Sequence, residues 1–211
     1  MAGRFITFEG GEGAGKSTHV RLLAEALRTA GLGVVETREP GGSPGAEQIR
    51  ELLVHGEVAR WDPVSEALLH FAARRDHVIR VIALALAAGD WVISDRFADS
   101  TMAYQGYGHG LDRAAIERLY ALAVGDLAPD LTVILDLPVD EGLRRAEGRR
   151  AGGTRYERMD RAFHERLRKG FLAIAEGDPQ RCLVVDARAP IEAVQRAVRE
   201  AVRDRLGAAL P

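Results

Sequence analysis

One cysteine, Cys182, among 211 residues excludes an intramolecular disulfide, and its setting in "CLVVD" suits a buried, inert thiol on a strand. Long apolar runs are missing too. The best candidate, "VIRVIALALAA", is broken by Arg80 and is too short to span a bilayer, so a buried helix is expected there and no membrane partner. The amino terminus enters strand-like sequence without the apolar stretch and cleavage pattern of a signal peptide, which points to the cytoplasm. Charge of one sign does not dominate either. The 29 basic and 31 acidic residues leave a formal net charge of −2, which gives no basis for nonspecific attraction to nucleic acid. Basic residues are concentrated locally, however: positions 141 to 170 hold nine arginines and one lysine against five acidic side chains, enough to gather phosphates.

Glycine is plentiful, and most tellingly so in "FEGGEGAGKSTH", residues 8 to 19. Bare backbone beside a lysine suits a polyanion, because successive N–H groups converge on phosphate oxygens only where no side chain intervenes. Gly10, Gly11, Glu12, Gly13, Ala14, Gly15, Lys16 and Ser17 match the G-x-x-x-x-G-K-[ST] pattern, with Thr18 following. "RFITF" before it reads as a strand, and "THVRLLAEALRTA" after it spaces Val20, Leu23, Leu27 and Ala30 as a helix. Strand, glycine turn and helix N-terminus together form an anion site. Lys16 is expected at the beta and gamma phosphates of a nucleoside triphosphate, and the Ser17 hydroxyl on Mg2+. Transfer, hydrolysis and switching all stay open on this motif alone.

Strand and helix periods alternate along the rest of the chain. "GVVET", "WVISD" at 91–95, "LTVILDL" at 131–137 and "CLVVD" read as strands; 63–88, 114–123, about 157–175 and the C-terminal segment read as helices. Apolar strands covered on both faces imply one domain, spanning 1–211, built as an α/β fold: an open parallel β-sheet flanked by helices, with its ligand crevice at the carboxyl ends of the strands. "SDRFADSTMAYQ" places Asp95 and Arg96 at such a strand end, where Arg96 suits an oxyanion and Asp95 suits Mg2+ or the attacking oxygen. Arg38, in "TREPGG", reads either as a second phosphate clamp or as turn chemistry. Arg74 and Arg75 follow His70 and Phe71 by four residues each, so either pair can stack on and hydrogen-bond a base, or simply place a ring in the core and a cation in water.

With "FEGGEGAGKST", "TREPGG", "FAARRDH", "SDRFADSTMAYQ" and the basic segment from Arg144 to Arg158 in that order, the chain resembles a bacterial thymidylate kinase over nearly its full length. The resemblance implies a P-loop nucleoside monophosphate kinase fold. It implies Mg2+-dependent transfer of the gamma-phosphoryl group of ATP to thymidine 5'-monophosphate, a homodimer, and a place in DNA precursor synthesis. It puts Glu12 at the acceptor's 3'-hydroxyl, Arg38 and Arg96 on its phosphate with Asp95 beside the metal, and Tyr104 against the deoxyribose. Ser100, Gln105 and Arg74 would read the thymine edge. The position usual for the stacking phenylalanine falls on His70, with Phe71 one residue later, so either ring is a candidate. A mobile lid at about 144–158 would bring Arg149, Arg150 and Arg155 over the donor phosphates, Arg155 being best placed by the family's "DR-x-E" stretch, although Thr154 stands where that stretch has Asp.

Such a transfer needs alignment and charge neutralisation more than a strong base. The rival readings are a kinase for another deoxynucleotide or a nucleoside, an ATP-dependent protein-binding switch and, with least support, a DNA-binding ATPase.

Overall fold

The computed structural model describes residues 3–148 and 154–210. Five strands, β1 (Phe5–Glu9), β2 (Val34–Arg38), β3 (Trp91–Asp95), β4 (Leu131–Asp136) and β5 (Cys182–Asp186), form one all-parallel sheet in the order β2-β3-β1-β4-β5. Each is short and rich in β-branched and aromatic residues, and β1, β3 and β4 are buried almost throughout, as strands covered on both faces must be. β1 is central. Its register pairs Phe8 with Asp95 on β3 and Glu9 with Ile134 on β4, so the loops after β1 and β3 open side by side.

Helices α1 (Lys16–Thr29) and α9 (Ile191–Leu206) cover one face, where Leu23, Leu27, Val194, Val198 and Val202 pack on Ile6, Phe8, Ile93 and Val133. On the other face Phe163, Leu167 and Phe171 of α8 (Arg161–Gly177) meet Ile134, while Val78, Ile82 and Ala85 meet Phe5 and Val92. The stretch expected to be helical over 63–88 is α3 (Pro63–His77), a π-helical turn at Val78–Ile82, and α4 (Ala83–Ala88). Asp62 caps it by accepting from the Val64 and Ser65 amides, and Pro63 suits its first turn.

Two further helices lay unread in the sequence: α2 (Pro44–Val54) and α7 (Val139–Glu147). Their signals are present, Ser43 before Pro44 at the start of α2, and Asp140 and Glu141 opening α7 with Arg144 and Arg145 closing it. After β3 the chain forms the short α5 (Ala98–Thr101), a π-helical stretch Met102–Gly108, and then α6 (Arg113–Ala123). Among the described residues no helix is long and apolar enough to cross a membrane.

Candidate functional site

The glycine turn is shaped by close approaches. Gly10 has φ 131°, and a Cβ on it would lie 2.4 Å from the Leu135 carbonyl oxygen; one on Gly13 would lie 2.0 Å from that of Gly142 on α7. Ala14 packs into the core beneath. Lys16 Nζ donates to the Gly10 and Gly11 carbonyls at 3.1 and 2.8 Å. Burial and the Arg96 charge draw its pKa down to about 8, against the opposing pull of Glu12, Asp95 and Glu9. The parallel register delivers β3's end to this loop: Arg96 N donates to Phe8 O at 2.9 Å, and Ser17 Oγ donates to Asp95 Oδ2 at 2.5 Å. Both expected metal-side oxygens are thus adjacent. Thr18 continues α1 behind them.

A cleft of about 720 Å³ opens beside the loop, lined among others by Lys16, Arg38, Asp95, Arg96 and Tyr104. That size suits a small ligand, whose sites commonly run from about 300 to 1,000 Å³. Arg96 is its centre. Its Nη1 donates to Gly10 O at 3.0 Å and Ser100 Oγ at 3.1 Å, its Nη2 donates to Glu12 Oε1 at 3.1 Å, and the guanidinium lies 5.1 Å from the Tyr104 ring centroid. Burial alone would lower its pKa, but Tyr104, Glu12, Asp95 and Glu9 together hold it above the ordinary arginine value. Burial likewise pushes Glu12 up, and Arg96 and Lys16 overcome it, with the Tyr104 hydroxyl, to hold that carboxyl at about 2. Tyr104 Oη donates to Glu12 Oε1 at 2.5 Å, so both contacts fall on one oxygen and, among the described residues, Oε2 is the acceptor left over. Arg38 lines the rim, where Nη2 donates to both Glu47 oxygens at 3.0 and 2.9 Å.

Ser100 was expected at the base edge. Its hydroxyl instead donates to Glu9 Oε2 at 2.6 Å and accepts from Arg96, which makes it a brace for the phosphate-side arginine. Glu9 also accepts from Phe97 N at 2.7 Å, and burial, then Asp99, raises its pKa to about 7.

The far end of the cleft is built on α3 and the π-helical stretch. Arg74, 2% exposed, donates from Nε to Glu39 Oε2 at 2.7 Å and from Nη2 to Phe97 O and Thr101 Oγ1 at 3.0 and 3.1 Å. Glu39 in turn holds His77 Nδ1 at 3.0 Å. Gln105 Nε2 donates to Glu66 Oε1 at 2.6 Å. The remaining polar atoms, Arg74 Nη1 and Gln105 Oε1, are buried without a hydrogen-bond partner among the described residues, and both side chains line the cleft. An unpaired buried donor and acceptor are costly unless a ligand meets them.

Of the two candidate rings, His70 lines the cleft, its Nε2 2.9 Å from Tyr156 Oη. Burial and the charges of Arg74, Arg155 and Arg96 lower its pKa to about 3, so it is a neutral, planar surface at pH 7. Phe71 faces a separate pocket with Phe97, and the Arg74 guanidinium covers its ring at 4.8 Å.

Arg155 departs from the expected place over the donor phosphates. It is 1% exposed, and its donors are committed: Nε to Leu53 O at 3.1 Å, Nη1 to Val58 O at 2.9 Å, and Nη2 to Tyr156 Oη at 3.1 Å and to Glu66 Oε2. The Leu53 carbonyl near the end of α2, the Val58 carbonyl just after it and a buried carboxylate on α3 engage all three nitrogens and hold the guanidinium inside the fold. Arg149 and Arg150 lie outside the described residues. Sequence reasoning passed over Glu9, Glu39, Glu66 and Tyr156. For Glu66 a signal existed, since Glu66, His70 and Arg74 recur every four residues and so share one helix face.

Comparisons with known proteins place the chain in a family. A family model described as thymidylate kinase matches residues 8–198. The thymidylate kinase of Caulobacter vibrioides is 57% identical over 205 residues, covering 97% of this chain and 98% of that protein. That of Nitrobacter winogradskyi is 53% identical, covering 96% of this chain and 89% of that protein. The crystal structure of thymidylate kinase from Ehrlichia chaffeensis superposes with a TM-score of 0.77 at 38% identity, covering 96% of this chain and 99% of that one.

Proposed function

The chain belongs to the thymidylate kinase family, and from that premise we infer that its cleft carries out transfer of a phosphoryl group from ATP to thymidine 5'-monophosphate through the residues described above. The observation that carries the substrate assignment is that two residues lining the cleft are left, among the described residues, with an unpaired donor at Arg74 Nη1 and an unpaired acceptor at Gln105 Oε1. Thymine offers the complement, an O4 acceptor and an N3–H donor, and cytosine offers the reverse at both positions. His70 supplies the stacking face. Glu12 Oε2 accepts the sugar 3'-hydroxyl, and the Tyr104 ring, held by its bond to Glu12, occupies the space a 2'-hydroxyl would need.

On the phosphate side, Arg96 and Arg38 neutralise the acceptor phosphate and Lys16 the donor, which lets two anions approach in line. The acceptor oxygen is already nucleophilic, so no strong base is required. Mg2+ fits the residues present. Ser17 Oγ and Asp95 Oδ2 are two hard oxygen donors in contact beside the phosphate loop. That is the pattern for an ion that binds a few protein oxygens and completes its shell with phosphate and water. When bound it supplies charge neutralisation on the donor phosphates. The segment at about 144–158 is assigned the role of lid, excluding water during transfer, with its C-terminal end anchored through the buried Arg155 and Tyr156. With Arg155 committed elsewhere, its donor-side charge is assigned to Arg149 and Arg150.

Val64 and Leu68 sit one turn apart on α3, each 50% exposed, and favour burial against a second copy of the chain. A homodimer in the cytoplasm is the proposed working form. The test of the reaction is product analysis by mass spectrometry with ATP, Mg2+ and a panel of nucleoside monophosphates. Fastest diphosphate formation from thymidine 5'-monophosphate is expected. Hydrolysis without any nucleoside diphosphate would overturn the kinase reading, and preference for uridine or cytidine monophosphate would overturn the substrate.

A further inference from the structure

We propose that Glu66, which does not line the cleft, is a positioning residue for thymine-over-cytosine selectivity at the base N3, alongside the fixed donor of Arg74: it locks the Gln105 amide with its carbonyl oxygen toward the base and is locked itself by Arg155. This rests on the thymidine monophosphate reading of the cleft and adds to it the device that fixes the reader's orientation. A glutamine amide has two faces of opposite polarity related by a flip, and a base-reading glutamine that can flip accepts either pyrimidine. Here one face is chosen chemically. Glu66 Oε1 lies 2.6 Å from Gln105 Nε2, and a carboxylate, being an acceptor only, pairs with the NH2 end and repels the carbonyl end. Both residues are buried, Glu66 at 1% and Gln105 at 0% exposure, so water cannot stand in for the lost bond in the flipped state.

The second oxygen of Glu66 accepts from Arg155 Nη2. Arg155 is fixed at Leu53, Val58 and Tyr156. With Oε2 taken by that guanidinium, the carboxylate is held in place and presents Oε1 alone to the Gln105 amide. Two chain segments distant in sequence thereby act on one hydrogen-bonding choice. His109, whose Nε2 is 4.0 Å from Glu66 Oε1, lies outside hydrogen-bond range and leaves that oxygen to Gln105. With Gln105 locked, the cleft shows an acceptor where thymine has N3–H and cytosine has a lone pair.

The decisive variant is Glu66→Gln. Its side-chain amide both donates and accepts, so Gln105 is free to turn. The ratio of kcat/KM for thymidine to deoxycytidine monophosphate is expected to fall at least tenfold, chiefly by a gain for deoxycytidine monophosphate. A purely structural Glu66 would lower both substrates together and leave the ratio unchanged, and an unchanged ratio in the folded variant overturns the proposal. If the variant does not fold, the wild-type protein decides by NMR of 15N-labelled glutamine side chains, with the Gln105 signal assigned by its loss in Gln105→Met. Slow solvent exchange of the Gln105 NH2 protons, without substrate, is expected; exchange as fast as in a surface glutamine overturns the lock. Wild type lacking preference for thymidine monophosphate would instead overturn the substrate reading itself, so the two failures are distinguishable.

Discussion

Arg96 has φ 74°, a left-handed conformation that costs a residue with a Cβ on the order of 1–3 kcal/mol and persists where surrounding contacts over-determine it. Those contacts are Gly10, Glu12 and Ser100, with Glu9 behind the serine. The bend turns the guanidinium into the cleft, where the proposed acceptor phosphate would meet it. Arg96→Ala is therefore expected to lower kcat/KM for thymidine monophosphate by roughly ten- to a hundredfold, the equivalent of a charge-assisted bond worth about 1.5–3 kcal/mol, with ATP affinity retained. Steady-state kinetics beside calorimetric ATP titration checks this, and equal losses on both substrates would relocate the role. Lys16 gives a pH signature. Burial and Arg96 place its pKa at about 8, so the ammonium is present below that value and lost above it. The expected outcome is a fall in kcat/KM for ATP as pH rises through about 8; a profile that stays flat well beyond that point would remove the ammonium from donor binding. Lys16, Arg96 and Asp95 were legible from sequence because a glycine motif and a strand end are local features. Glu9 and Glu39 were not, because a carboxylate's value here lies in which cation or amide the fold brings to it.

At the scale of elements, the phosphate loop and α7 are fitted together through two glycines. A Cβ on Gly142 would stand 2.5 Å from the Glu12 carbonyl oxygen, a backbone atom that cannot step aside cheaply. Gly142→Ala is expected to cost about 1–3 kcal/mol of stability, as overpacking does, and to weaken ATP binding by displacing the loop. Urea unfolding and nucleotide titration measure the two effects. Gly177→Ala, with nothing within 4 Å of its Cβ, serves as the control and should leave both intact. The π-helical stretch Met102–Gly108 has a related origin. Gly108 lies against the Phe163 ring and Gly170 against Tyr107, so α8 seats directly on it. A wide turn that exists to satisfy such packing leaves no hydrophobic period of its own, and "TMAYQ" was readable as a motif without its geometry being readable at all. α2 was legible in principle, through Ser43 and Pro44, but was overshadowed by the turn residues before it.

For the molecule as a whole, the proposed homodimer is assigned to Val64 and Leu68 on α3, two of the large apolar residues left exposed. Leu68→Arg should convert a sedimenting dimer to monomer by placing an unpaired charge in that contact; a wild-type protein that sediments as a monomer at working concentration would overturn the assembly. Much of the carboxyl end of the sheet was readable from sequence alone: a strand, a glycine turn and a helix over 4–30, a strand at 91–95 with Asp95 and Arg96 at its end, and apolar strands demanding cover on both faces. These are short-range consequences of backbone sterics and periodicity, so they survive without knowledge of neighbours. The choice between His70 and Phe71 does not. Adjacent helix positions differ by about 100°, and only the packing of α3 against α2, α6 and the π-helical stretch sets which of the two rotates into the cleft. Arg155 is the extreme case, since a long flexible cation carries the same charge to a phosphate or to a buried carboxylate, and what decides is that the fold places Glu66, Leu53 and Val58 within reach of its guanidinium.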